Sequence, residues 1–143
     1  SFMGRARAMT IHLYDTNRQK IGRMVKPFAF FFPTADIFSG DTRLGSVAKL
    51  WTFFLPQLRV LDAQGQTRFT LKRRFIRREF VVIDASGREV GLIAKKWGGG
   101  LKELLTDADS FGVEFSDPSL TEDDRALLLA STFFIDALFF EGR

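Results

Sequence analysis

Polar and apolar residues alternate through much of the first hundred positions. Arg68-Phe-Thr-Leu-Lys72 shows the period of two expected of a half-buried antiparallel strand, and Phe80-Val-Val-Ile-Asp84 is an apolar run of strand length ending in a polar residue. The pattern breaks near the end of the chain. After Leu120-Thr-Glu-Asp-Asp124, the stretch 126–140 is apolar on every face except at Ser131, Thr132 and Asp136. Thr121 with Asp124 predicts a capping box, and three acids in the first turn suit the positive end of a helix dipole. A helix over 126–140 is about 22 Å long, short of a ~30 Å hydrocarbon core. Asp136 falls inside it, and its start carries three acids and a single basic residue, Arg125, not the basic flank that a membrane anchor favours. The stretch therefore reads as a helix enclosed by protein, with no transmembrane helix in the folded form.

A repeat organises the strands. Leu44-Gly-Ser-Val-Ala-Lys-Leu-Trp51 returns as Val90-Gly-Leu-Ile-Ala-Lys-Lys-Trp97, with a weaker copy at Ile21-Gly-Arg-Met-Val-Lys-Pro27. The glycines stand at 22, 45 and 91, so the second interval is twice the first. The absent copy centres on position 68, inside the strand-like run Thr67–Arg73, which has no glycine. Turn signals precede the units at Asp15-Thr-Asn17, Ser39-Gly-Asp41, Asp62-Ala-Gln-Gly65 and Asp84-Ala-Ser-Gly87. Each unit reads as strand, tight turn, strand. Four hairpins, with further strands near Lys102–Leu105 and Phe111–Phe115, make about ten strands. Curling that sheet around the apolar helix buries both, and the glycines suit strong bends or close backbone approach.

Composition narrows the chemistry. The chain has 143 residues, suited to one domain with a real core, and its 17 Phe against one Tyr supply rings that need no hydrogen-bond partner. Residues 1–8 read as a linker and 9–143 as the domain. The absence of Cys removes disulfides, thiol nucleophiles and most structural zinc sites. No segment has the layout of a signal peptide. Residues 1–100 carry 18 Lys and Arg against 7 Asp and Glu, whereas 101–143 carry 3 against 10. A basic body with an acidic end attracts anionic surfaces, either lipid or nucleic acid.

Three stretches resemble the phospholipid scramblase family. They are Tyr14-Asp15 with Ile21-Gly22 and Lys26-Pro27; Leu44–Trp51 with Phe54-Leu-Pro-Gln-Leu-Arg-Val60; and Val90–Trp97 through Thr106-Asp-Ala-Asp-Ser-Phe-Gly112 to Phe134-Ile-Asp-Ala-Leu-Phe-Phe-Glu141. The resemblance implies a Tubby-like fold of the LURP-one-related superfamily: an antiparallel β-barrel of about 10–12 strands wrapped around a central hydrophobic C-terminal helix. Family members carry further strands ahead of the segment matching Thr10–Pro27. The implied barrel is thus incomplete here, with edges open to self-association. The cysteine-rich and proline-rich regions of animal scramblases have no counterpart in this sequence.

Two clusters are candidate sites. Lys72, Arg73, Arg74, Arg77 and Arg78 surround one hairpin tip, and Lys95 and Lys96 fall in the adjacent unit. Such cations hold phosphate groups, each adding about 1 kcal/mol near an anionic membrane. The same charges also serve to protect a solvated edge hairpin from pairing. Asp107 and Asp109, with Gly112, open like a calcium loop, and the resemblance implies calcium there. Its twelfth position is Pro118, however, with Asp117 one place early, and an Asp-rich turn explains the same residues. Asp136, mid-helix, needs a partner or a proton, and His12, with no Cys or acid cluster beside it, is no metal site. Nothing points to catalysis: nucleophile–base pairs, phosphate loops and zinc motifs are all missing. The expectation is a non-enzymatic, scramblase-like protein, cytoplasmic and peripheral at the membrane, that binds anionic phospholipid through its basic face and takes part in transbilayer lipid movement. The alternative is a soluble scaffold or nucleic-acid-binding module with the same fold.

Overall fold

The computed structural model describes residues 7–14, 17–29, 32–50, 52, 55–74, 79–95, 104–105 and 111–140. Its strands are β1 (Met9–Tyr14), β2 (Lys20–Lys26), β3 (Thr34–Ser39), β4 (Thr42–Leu50), β5 (Gln57–Asp62), β6 (Thr67–Arg73), β7 (Glu79–Asp84), β8 (Glu89–Lys95), β9 (Leu104–Leu105) and β10 (Phe111–Phe115). They form one antiparallel sheet in the order β1-β2-β3-β4-β5-β6-β7-β8-β10-β9. Helix α1 (Glu122–Ile135) follows and continues into a π-helical turn, Asp136–Phe140. The expected mainly β architecture around one apolar helix is present, with ten strands. The sheet is open rather than closed, so the word barrel fits it only loosely. Among the described residues β1 and β9 are edges, and β9, only two residues long, pairs with β10 alone. So short a strand cannot carry the ladder across to β1.

The repeat is a repeat of bulges. In each of the hairpins β1β2, β3β4, β5β6 and β7β8, the register slips once and the second strand holds one extra residue. The skipped residues are Ile21, Leu44, Arg68 and Val90. Just after them stand Gly22, Gly45, Phe69 and Gly91. A Cβ at any of the three glycines would meet a backbone carbonyl of the next strand, that of Phe38, Leu61 or Glu114. The glycines thus let adjacent strands approach where the bulge bends the sheet, as their spacing suggested. Two of the turns are built alike. Asp62 Oδ1 accepts from the N–H groups of Gln64 and Gln66, and Asp84 Oδ1 accepts from those of Ser86 and Arg88. Gly65 and Gly87 complete them at φ 84° and 91°.

The helix fills the concave face. Thr121 and Asp124 form the predicted capping box. Leu128, Ala130, Phe134 and Ile135 are fully buried, sharing one cluster with Val47, Leu58, Val60, Phe69, Leu71, Phe80 and Ile93 from the sheet. Ser131 and Thr132 donate to the carbonyls of Leu127 and Leu128, so their buried hydroxyls cost little. Asp136 is also buried, 7% exposed, at the start of the π-helical turn. Among the described residues, no helix is long and apolar enough to cross a membrane.

Candidate functional site: the two ends of the sheet

An antiparallel meander sorts its connections. The connection from β1 to β2 and the tight turns at 40–41, 63–66 and 85–88 lie at one end of the sheet, the turn end. The connections 27–33, 51–56 and 74–78 lie at the other, the loop end. Helix α1 begins at the turn end, where Leu127 lies beside Gly45.

Several charges at the turn end are paired with one another. Arg68, the one polar residue at a bulge position, donates from Nε and Nη2 to both carboxylate oxygens of Asp124, each at 2.8 Å. Asp124 is 3% exposed. Burial raises its pKa, but the Arg68 bonds and the Thr121 N–H outweigh that and hold it below the ordinary carboxylate range. Arg88 bridges Asp84 and Asp117 at 3.4 and 3.0 Å. The Ser86 hydroxyl, then the Arg88 N–H, lowers the Asp84 pKa, and Ser119 does the same for Asp117 through its N–H and hydroxyl. Beside α1 an open cleft of about 570 Å³ is lined by Ile21, Leu44, Ala126 and Leu129, with Lys20, Arg125, Glu122 and Asp123 also on its wall.

The loop end has a different balance. Counting four residues on from the position after each bulge gives Lys26, Lys49, Arg73 and Lys95, a cation every time. Strand alternation puts Lys26, Lys49 and Arg73 on the helix-facing side, where Lys26 is buried and Lys49 and Arg73 are half-buried. Lys26 Nζ donates to the Arg7 carbonyl at 2.6 Å. Burial, and then the Arg7 charge, lowers its pKa. The last turn of α1 carries no basic residue of its own, so the negative end of its dipole runs toward a cationic rim supplied by the sheet. Lys72 is exposed on the outer face. Among the described residues the one acid on the strand ends here is Glu79, which pairs with Arg74 at 3.5 Å. Arg74 also reaches Glu89 at 3.3 Å.

The expected sites are brought together only in part. Lys72, Arg73 and Arg74 share the end of β6, and Lys95 ends β8 at the same end of the sheet. Arg77, Arg78 and Lys96 lie outside the described residues, as do Asp107 and Asp109. Asp117 has both oxygens engaged, Oδ1 by Ser119 and Oδ2 by Arg88. It is therefore a turn former and ion-pair partner, with no oxygen held free for a cation. Sequence reasoning missed the Arg68–Asp124 pair. Its signal is that the fourth unit, aligned one residue later, places Arg68 where the others have Ile21, Leu44 and Val90.

The Scramblase family profile matches residues 1–142. The chain belongs to that family. Among curated scramblases, it is 46% identical to phospholipid scramblase 2 of Bos taurus over 52 residues, 36% of this chain and 17% of that one. It is 44% identical to phospholipid scramblase 1 of Mus musculus over 52 residues, 36% of this chain and 16% of the relative. The matched segment thus spans about a sixth of these scramblases. No solved structure matches.

Proposed function

We propose that this Scramblase-family protein associates peripherally with anionic phospholipid membranes through the cationic loop end of its sheet. The observation that carries this reading is the rim at that end, where exposed Lys72 and half-buried Lys49 and Arg73 stand beside Arg74, which holds both Glu79 and Glu89 among the described residues. Summed over several side chains, an attraction of about 1 kcal/mol per cation is enough for stable binding to an anionic surface. The curated relatives are named phospholipid scramblases, which favours lipid over nucleic acid as the anionic partner. Because α1 is enclosed by the sheet, lipid passage along it needs the sheet to open, so surface binding is the first step to test. Catalysis has no place in this reading.

Lys72, Arg77 and Arg78 are the side chains to reverse. Arg73 is half-buried and Arg74 is tied to Glu79 and Glu89, so reversing either would disturb the sheet as well as the surface. Vesicles containing phosphatidylserine should sediment the wild type at low salt, less as salt rises, and should lose the triple Glu variant. Equal binding to neutral and anionic vesicles, or binding to duplex DNA alone, contradicts the proposal.

A further inference from the structure

We propose that the loop 27–33 is a membrane wedge, with Phe28 and Phe32 entering the interfacial zone of an anionic bilayer. This deepens the reading above and rests on it. Three large hydrophobic side chains are exposed among the described residues: Phe28 at 54%, Phe32 at 70% and Tyr14 at 55%. The two phenylalanines share the β2–β3 connection at the loop end, whereas Tyr14 ends β1 at the turn end. The connection reads Pro27-Phe-Ala-Phe-Phe-Phe-Pro33, four rings between two prolines. Placing such rings in water is unfavourable, and a single scattered one needs no explanation, but a proline-bracketed group of them does.

Phe28 and Phe32, the described rings of this connection, lie next to its two prolines. Pro27 and Pro33 fix their own φ angles and remove two N–H donors that would otherwise need water. Pro33 is buried, and its carbonyl accepts from the Lys49 N–H at 3.2 Å, which fixes the loop to β4. A protein groove would cover the rings equally well. The charges beside them decide for a bilayer. Lys49 and Lys72 stand at the same end, where the described acid Glu79 is taken up by Arg74, while the acids Asp62, Asp84, Asp117, Glu122 and Asp123 collect at the other. Aromatic rings with cations next to them match the anionic headgroup region, where rings enter and cations meet phosphate.

The test compares wild type, Phe28→Ala/Phe32→Ala and Tyr14→Ala for binding to phosphatidylserine-containing vesicles at low and high salt, with thermal melts to confirm folding. The double Ala variant should bind about tenfold or more weakly and lose the salt-resistant part of the binding, while Tyr14→Ala binds as wild type. If wild type binds and the double variant binds equally at both salt levels, the wedge is wrong and the electrostatic reading stands. If both Tyr14→Ala and the double variant weaken binding alike, the orientation is wrong. If wild type ignores these vesicles at every salt concentration, both proposals fall together.

Discussion

The two ends of this sheet are made from the same repeat but spend their charges differently. At the turn end four carboxylates have a cation or an N–H group in place: Asp124 has Arg68, Asp117 has Arg88, and Asp62 and Asp84 hold their own turns. At the loop end, among the described residues, Arg74 holds Glu79 and Glu89 while Lys72 is exposed, and two large rings, Phe28 and Phe32, are exposed as well. A satisfied end serves the fold. An unbalanced one is stable only because it is solvated or because something anionic covers it. The difference separates residues that hold the molecule together from residues available to meet a partner.

The largest expected effect lies between the ends, in the helix. Phe134 is fully buried, so Phe134→Asp should place an unpaired charge in the core at a cost of several kcal/mol and abolish cooperative unfolding. A soluble variant with an intact thermal transition would mean the helix is not enclosed. The bulges come next. Gly45→Val should lose about 2 kcal/mol or more in urea unfolding, because its Cβ would collide with the Leu61 carbonyl, a backbone atom with little room to yield.

The turn end is sharpened by Arg68→Ala, which leaves a buried carboxylate with only the capping-box contacts. The expected loss is about 2 kcal/mol near neutral pH, below the range for fully buried pairs because Arg68 is half exposed. A carboxyl whose folded pKa is lowered contributes stability above its unfolded pKa and loses it as pH falls through the folded one. The gap between wild type and Arg68→Ala should therefore close on acidification below about pH 4. A gap independent of pH would mean that Arg68 acts through packing alone. The smallest effect is expected of Arg88→Ala: 68% of that side chain is exposed, so its loss should cost at most about 1 kcal/mol and leave vesicle binding unchanged.

Much of this fold was legible in the sequence, for reasons that can be named. The hairpins were visible because Asp and Gly at fixed offsets supply both the side-chain acceptor and the positive φ, as at Asp62–Gly65 and Asp84–Gly87. The helix was visible because nothing but enclosure suits an all-apolar cylinder with a capping box. The open edge was not, since two residues at Leu104–Leu105 look like any other apolar pair and only tertiary placement shows that, among the described residues, they pair with β10 alone. The cationic tip was legible as a charge cluster, but its division into paired Arg74, half-buried Arg73 and exposed Lys72 depends on register. The inward lysines were hidden because an alternating strand hides which face is which until the bulges are known.

The central claim is that the loop end, and not the turn end, meets the membrane. The absence of cysteine makes a direct measurement clean. Thr34, exposed at the loop end of β3, and Ala85, exposed in a turn at the other end, can each be changed to Cys and carry a polarity-sensitive fluorophore. On adding phosphatidylserine vesicles at low salt, the label at 34 should shift to the blue and become protected from an aqueous quencher, while the label at 85 stays unchanged. A shift at 85 with none at 34 would contradict the account.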